Sequence, residues 1–398
     1  MEKEIHITGV GMISAIGDDK ASTLDALRNL RSGVEPVRYL NTTHTNLPVG
    51  EIKHSNDELR EMLRVPSSEA FIRSSLLGIP AVLEALQQAH LENRSGLRVA
   101  LLSGITVGGM DMAEMKYMDF LNNDTQNDYI ALNDCGACTE QIADYIGGFG
   151  MVSTIVTACS SSANTLMMGA DMLKQGKADI VVAGGTECLS RYHVNGFNTL
   201  MILDSGLCKP FDRDRAGINL GEGAGYLVLE TAESARQRGV KPVGRLSGYC
   251  NVCDAYHPTA TSPEGLGPYL AMKGAVENAG LQPENIDFIN AHGTGTPNND
   301  LTEGLGAMRL FGDVPPISSI KAFTGHTTSA AGSFEAAVSL LAIEHNFLPV
   351  NLNFRNRIEE HTFTPVTDPT PPRPVRHVLS SSFGFGGNDS AIVLSKVC

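Results

Sequence analysis

The chain has 398 residues, with 30 Lys and Arg against 44 Asp and Glu, so its formal charge is −14. At 42% hydrophobic and 19% charged it is composed like a folded protein, and its length predicts about two to three domain-sized units. The acidic surplus excludes a general binder of nucleic acid or anionic membrane, but not an acidic partner met through a local basic patch.

The opening MEKEIHITGVG has no apolar stretch of signal-peptide length, and no run of about 18 apolar residues occurs anywhere. A cytoplasmic chain without a membrane span is therefore expected. EIHITGVGMIS predicts a strand opening into a glycine loop. TLDALRNLRSG predicts a helix stopped by Gly33. SSEAFIRSSLLGIPAVLEALQQAHL predicts a longer helix, capped by Ser67 or Ser68 and bent or broken at Pro80. LRVALLSGI and VSTIVTA read as buried strands, the second ending at Cys159. The helix SSANTLMMGADMLKQG follows, with Lys174 near its end and Gly176 as its stop, and then the strand ADIVVAGGTE.

GAGYLVLET and VGRLSGYC are strand-like, GPYLAMKGAVENAG is helical and closes on Gly280, and IDFINA is a short strand running up to His292. NDLTEGLGAMRLF predicts a helix, PISSI a strand and SFEAAVSLLAIEHN a helix. The chain closes with HVLSSSF, a glycine turn and SAIVLSKV. Strands alternating with helices predict α/β layers with mostly parallel sheets. VSTIVTACSSSANTLMM is echoed by PISSIKAFTGHTTSAAGSFEAAV, each a strand, a small-residue loop and a helix. The echo suggests duplication, with halves at 1–239 and 240–398 and no flexible linker between them.

Cys135, Cys138, Cys159, Cys188, Cys208, Cys250, Cys253 and Cys398 are thinly spread and read as free thiols. Two CxxC pairs, at Cys135/Cys138 and Cys250/Cys253, lie much farther apart than the roughly 15–20 residues of a zinc ribbon. They read as packing cysteines, and no metal is expected. GEGAG at Gly221 leads into a strand, unlike a dinucleotide fingerprint, and no phosphate-binding P-loop motif is present.

TACSSS places Cys159 between a buried strand and a helix, where unsatisfied N–H groups and the helix dipole favour a thiolate of lowered pKa. Alone, such a cysteine fits a small core residue better. His292 and His326 change that balance, because both sit beside glycine at the strand-end loops where α/β sites form. Cysteine with histidine is the pairing of nucleophile and base. Lys321 adds a cation, whose plainer role is an ion pair with Glu335. The turn in SSFGFGGND offers backbone N–H groups for an anion nest or oxyanion hole, or is simply a hairpin turn.

These segments resemble the β-ketoacyl-acyl carrier protein synthases, the elongating condensing enzymes of the thiolase superfamily. ITGVGMIS, TACSSS, DIVVAGGTE, PFDRDRAGINLGEGAGYLVLE, DAYHPTATSP, AHGTGTP, SIKAFTGH and FGFGG occur in that family's order and at close to its spacing, nearly end to end. The resemblance implies a thiolase-like five-layer αβαβα fold of two duplicated halves. The first would carry the nucleophilic cysteine and the second the two catalytic histidines. It implies acylation of Cys159 from acyl carrier protein, then decarboxylative Claisen condensation with malonyl-acyl carrier protein, as in fatty acid biosynthesis. His292 and His326 would stabilise the enolate, with Lys321 and Glu335 as support. The N–H groups of Cys159 and Phe385 would hold the oxyanion. Thr294 and Thr296 would bind the phosphopantetheine arm, and Phe383 would support the mobile gate Phe385.

No bound cofactor is implied, because the substrates ride on the carrier's phosphopantetheine. A homodimer is implied, with active sites near the shared interface. A Cys-His-His set marks the elongating type. SSFGFGGND lacks the second cysteine of a degradative thiolase, and the presence of Cys159 sets the chain apart from a chain-length-factor subunit.

Departures from the family pattern are Ser329 in place of a glycine, Asn388 and Asp389 in place of Thr-Asn, and the methionine-rich SGITVGGMDMAEMKYMDF near the expected acyl pocket. They keep open a specialised polyketide or aryl-polyene-like pathway, with a chain-length-factor partner. Two acidic bodies repel, so carrier docking would need a cationic rim, with Lys209, Arg213, Arg73 and Arg64 as candidates. KPFDRDR reads first as a salt-bridge network and second as such a patch.

Overall fold

A computed structural model of the chain describes residues 3–123, 127–369 and 373–397. Cys398 and the first two residues of the MEKEIHITGVG opening lie outside them.

The first half runs β1 (Ile5–Ser14), α1 (Lys20–Arg28), α2 (Asn56–Leu63), α3 (Arg73–Gln88), β2 (Val99–Gly104), α4 (Met110–Asn123), α5 (Asn127–Ala131), α6 (Cys135–Ile146) and β3 (Met151–Ile155). It continues with α7 (Ser161–Lys174), β4 (Ile180–Glu187), α8 (Arg191–Thr199), β5 (Gly223–Thr231) and α9 (Ala232–Arg238). The second half runs β6 (Gly244–Cys253), α10 (Leu266–Asn278), β7 (Phe288–Asn290), α11 (Pro297–Phe311), β8 (Ile317–Ser318), α12 (Lys321–Thr324), α13 (Ala331–His345), β9 (His377–Gly384) and β10 (Asn388–Ser395).

The strands join in the order β3-β2-β4-β5-β1-β6-β10-β9-β7-β8. Divided between β1 and β6, this order contains the same arrangement twice. Numbered within each half, both sets run third, second, fourth, fifth, first. In both, the second strand pairs parallel with the third and fourth, while the fifth pairs antiparallel with the fourth and first. The duplication that the sequence only echoes is thus explicit in topology. The expectation of mostly parallel sheets is corrected: parallel pairing is confined to the outer strands. The chain returns from β9 to β10 through a tight glycine hairpin, which forces antiparallel pairing.

Alternation along the strands builds the layers. Val99 and Leu101 of β2, Ile180 and Val182 of β4, and Tyr226 and Val228 of β5 pack outward with α3 and α6. Ala100, Leu102, Val181, Ala183, Leu227 and Leu229 pack inward with α7 and α13. In the second half, Val378, Ile392 and Leu394 join that same inner core, while Leu379, Ala391 and Val393 face α10. The result is helix, sheet, helix, sheet, helix. Apart from the exposed edge strand β3, both sheets are covered on both faces, which is why most of their strands read as continuous apolar runs. The middle layer contains α13, buried from Ala331 to Ile343, an apolar-all-round helix of the kind found inside a protein.

Several boundaries differ from the sequence reading. The α1 helix ends on Asn29, with Leu30 in the left-handed region, before reaching Gly33. Gly33 instead makes a close approach, since a Cβ there would lie 2.4 Å from the Ala15 carbonyl oxygen. The long helix begins after Ile72 without a side-chain cap, and Pro80 lies within it without ending it. VSTIVTA is strand only to Ile155. The unread α2 carries a capping box in which Ser55 and Glu58 satisfy each other's backbone N–H groups.

Candidate active site

Cys159 sits on a tight elbow between β3 and α7. Ala158 takes φ 51°, a left-handed conformation costly for a residue with a Cβ. The run of small polar residues pays for it with local hydrogen bonds. Ser160 Oγ donates to the Thr157 carbonyl at 2.8 Å, Ser161 Oγ donates to the Ala158 carbonyl at 2.7 Å, and the Thr157 N–H donates to Ser161 Oγ at 2.9 Å. Glycine is required opposite the elbow, because a Cβ on Gly384 would come within 2.8 Å of the Thr157 carbonyl oxygen.

The second half delivers two imidazoles to this thiol. His292 follows β7, and Glu303 of α11 accepts the backbone N–H groups of His292 at 2.8 Å and Gly293 at 2.7 Å. His326 follows Gly325, whose φ is 70°, and its own N–H donates to the Asn219 carbonyl at 2.8 Å. One donor atom from each of Cys159, His292 and His326 lies within 4.8 Å of the others, and all three residues are buried. The histidine rings meet edge to face at 5.2 Å, and Phe383 packs on His292 at 5.8 Å. Nδ1 of His292 and both ring nitrogens of His326 have no protein partner. Among the described residues this is also the only group whose spacing suits a metal ion. Neither CxxC pair belongs to it.

Burial, reinforced by Lys321, holds both imidazoles well below the ordinary histidine range, so they are neutral near pH 7. Burial also pushes the Cys159 thiol up to about 11, against the opposing pull of Lys321 and a hydrogen bond from the Phe385 backbone N–H. The expectation of a lowered thiol pKa is therefore overturned for the resting state, in which desolvation outweighs the helix terminus. The thiol rests protonated beside two neutral bases.

Lys321 and Glu335 form a fully buried, hydrogen-bonded ion pair behind the histidines. Burial raises the Glu335 carboxyl to about 7 although Lys321 draws it down. Thr294 and Thr296 join their hydroxyls at 2.8 Å on the wall of a cavity of about 300 Å³. Cys159, both histidines and the segment Phe383–Gly387 line the same cavity. Phe385 stacks on Phe197 of α8 at 5.8 Å and 22°, and Phe197 meets the buried His193 edge to face.

The sequence reading named neither Phe197 nor His193. It also missed Glu303 and Asp300, although both carboxylates lie in the helix that follows AHGTGTP. Asp300 accepts the Phe211 N–H at 2.6 Å and the Gly295 N–H at 3.1 Å. Ser329 donates to Glu187 at 2.6 Å, so its hydroxyl has a partner that a glycine would not supply.

The four cationic candidates separate. Arg73 is corrected: it is 7% exposed and is held by Glu222 (2.5 Å), Asn56 (2.8 Å) and the His54 carbonyl (3.0 Å), so no carrier can reach its charge. Arg64 and Arg213 are exposed, and Lys209 is half-buried. The rest of KPFDRDR is chiefly a backbone-bracing network. Asp212 accepts the N–H groups of Arg355 at 2.5 Å and Asn356 at 2.8 Å, and Arg215 donates to the carbonyls of Thr296 and Pro297.

Residues 2–235 match the family model of the beta-ketoacyl synthase N-terminal domain, and residues 243–355 match that of the C-terminal domain. The chain is 29% identical to 3-oxoacyl-[acyl-carrier-protein] synthase 2 of Staphylococcus aureus strain N315, over 99% of this chain and 98% of that one. It is 32% identical to nodulation protein E of Rhizobium meliloti strain 1021, over the full length of both. Among solved structures, the ishigamide ketosynthase/chain length factor superposes with a TM-score of 0.93 at 30% identity, covering all of both chains. No helix among the described residues is long and apolar enough to cross a membrane.

Proposed function

The chain belongs to the β-ketoacyl synthase family of condensing enzymes, and from that premise we propose that it elongates acyl chains carried on acyl carrier protein. The observation that carries this reading is the convergence of Cys159, His292 and His326 within 4.8 Å at the wall of one cavity.

In the first half-reaction a neutral imidazole of the pair takes the thiol proton as Cys159 sulfur attacks the acyl thioester. The carrier's thiol leaves with a proton, and the acyl group stays on Cys159. In the second, N–H donors of His292 and His326 hold the thioester carbonyl of a malonyl group. As carbon dioxide departs, negative charge develops on that oxygen, and donors already aimed at it lower the barrier. The resulting carbanion attacks the acyl-Cys159 carbonyl. The oxyanion formed there is held by the N–H groups of Cys159 and Phe385, the second of which already points at the sulfur. The C–C bond forms, the C–S bond breaks, and Cys159 is released.

Lys321 and Glu335 support the electrostatics of the site. Thr294 and Thr296 hold the phosphopantetheine arm, which reaches them through the open side of the cavity. Phe385 gates it, and Phe383 steadies both the gate and His292. By this division the half spanning 1–239 supplies the nucleophile and the half spanning 240–398 the histidines. Carrier docking falls to Lys209, Arg213 and Arg64. The reading includes a cytoplasmic homodimer that needs no further cofactor.

Intact mass after incubation with acyl-acyl carrier protein should show one acyl group on the wild type and none on Cys159→Ala. An acylated or elongating Cys159→Ala protein refutes the assignment. The likeness to a ketosynthase/chain length factor favours one second reading: a specialised polyketide synthase working beside a chain-length-factor chain. Product masses from a panel of saturated, polyenoyl and aryl starters separate the two.

A further inference from the structure

The Asn388-Asp389-Ser390 departure leads to a buried carboxyl that the condensation does not use. Asp389 is the second residue of β10, just after the glycine turn that carries Phe385. It is 1% exposed, and its Oδ2 has no hydrogen-bond partner. The space it occupies exists because residue 267 is glycine: a Cβ there would lie 1.8 Å from Asp389 Oδ2 and 2.9 Å from the Asp254 Cβ. Two carboxyl groups therefore crowd one small space at the start of α10.

Asp254 follows β6 and opens the loop that runs to Ser262. Its oxygens accept the Tyr256 and Ser262 N–H groups, both at 3.1 Å. Glu303 of α11, whose carboxyl burial raises to about 8, is the other acid whose field reaches Asp389. Both neighbours are carboxyl groups.

The same spot is where two loops are fastened together. The N–H groups of Asp254 and Asp389 both donate to the Gly387 carbonyl, at 3.3 and 3.0 Å. The Gly386 N–H donates to the Pro258 carbonyl at 2.7 Å. Thr259, Ala260 and Thr261 from one loop and Phe383–Gly387 from the other line the cavity that holds Cys159.

We propose that Asp389 is a positioning residue which, in its protonated form, lets the Phe385 turn stay fastened to the 254–262 loop, and which loosens both when it ionises. Asp254 and Glu303 each accept backbone N–H groups, whereas Asp389 Oδ2 has no donor, so of the three carboxyls Asp389 has the least to hold its charge and keeps its proton until the pH is alkaline. Burial, with Asp254 and Glu303, raises the Asp389 carboxyl to about 8. The sign follows from a raised pKa: the fastened state is complete below the ordinary carboxyl range and is lost as pH rises through about 8.

The inference rests on the reading of Phe385 as the gate, so its test includes a measurement that needs no condensation. Asp389→Asn keeps the shape and cannot ionise. Alkylation of Cys159 by iodoacetamide and condensation turnover are measured on full-length wild type and variant from pH 6.5 to 9.5. The thiol and histidines titrate in both proteins, and because burial raises Glu303 to about 8 as well, the comparison is repeated in a Glu303→Gln background so that the ratios isolate Asp389. Between pH 8 and 9 the wild type should alkylate several-fold faster relative to Asp389→Asn, and its relative turnover should fall by up to about tenfold, the limit for one ionisation. Asp254→Asn removes a neighbouring negative charge that holds the Asp389 carboxyl up, and should move the wild-type transition to lower pH. Ratios flat across that range, or an unmoved transition in Asp254→Asn, overturn the proposal. A changing alkylation ratio without any condensation activity leaves the latch standing and refutes the synthase reading instead.

Discussion

Lys321 and Glu335 illustrate how much a single buried charge depends on its partner. Removing one member of such a pair strands the other in low dielectric and typically costs about 3–5 kcal/mol. Lys321→Met should show a loss of that order in denaturant unfolding, with turnover abolished. Adding Glu335→Gln should recover most of the stability, because the stranded charge is gone, and none of the turnover. Recovery of activity by the double variant would remove the pair from the chemistry. The histidines make a separate pH prediction. An unfolded His326 takes up a proton near pH 6.5, whereas burial keeps the folded one neutral. Its contribution is thus neutral above about pH 6.5 and turns destabilising as pH falls below it. Urea unfolding at pH 5 and 6 should show His326→Gln with a shallower acid slope, by up to the roughly 1.4 kcal/mol per pH unit that one proton carries. Equal slopes would mean that the imidazole is not held neutral.

At the scale of elements, the fold depends on backbone-to-backbone approaches that glycines permit. Gly225 of β5 faces α13, where a Cβ would lie 2.8 Å from the Phe334 N and Cα atoms. Neither a sheet buried on both faces nor a helix buried all round can move away. Gly225→Ala should therefore cost at least the roughly 1–3 kcal/mol of core overpacking, read as a lowered urea midpoint. A midpoint unchanged within error would show that the inner layer is looser than these distances imply. Such contacts explain what could and could not be read from the sequence. Most strands were legible as apolar runs because burial on both faces leaves a continuous local signal; β3 gave the same apolar signal but is an exposed edge, so the buried strand expected there is corrected. Strand direction was not legible, since nothing in GAGYLVLET records that its neighbours on both sides run the other way. The triad was legible because each member sits in a motif of small residues. Glu303 and Asp300 act on backbone N–H groups of the preceding loop, and nothing in the helical pattern of NDLTEGLGAMRLF distinguishes them from solvated acids. Arg73 looked like a surface cation for the same reason: its partner Glu222 lies 149 residues away. The thiol's raised pKa was also beyond local reading, because desolvation is a property of the assembled core.

The whole molecule carries −14, so any acidic carrier approaches against the overall field and must be drawn in locally. With Arg73 buried, Lys209, Arg213 and Arg64 are the remaining candidates for that attraction. Lys209→Glu should raise KM for a carrier-bound acyl substrate several-fold, and less so at high salt, while sparing a small acyl thioester. Equal damage to both substrates would make the residue structural. The sheet's ends set the second expectation at this scale. Edge strand β8 is buried, whereas β3 at the other end is open, with Met151 47%, Val152 37% and the adjoining Val156 54% exposed. An open edge with apolar side chains is a template for pairing, and a charge placed on it blocks pairing. In the homodimer reading β3 is the seam, and it leads within a few residues to Cys159, so association and the nucleophile's elbow are linked through the same short segment. Sedimentation should find the chain alone to be a dimer and Val152→Lys a monomer, with Cys159 acylation slowed in the monomer. A variant that still sediments as a dimer would place the seam elsewhere. A wild type that is monomeric until a second, different chain is added would replace the homodimer with the chain-length-factor arrangement.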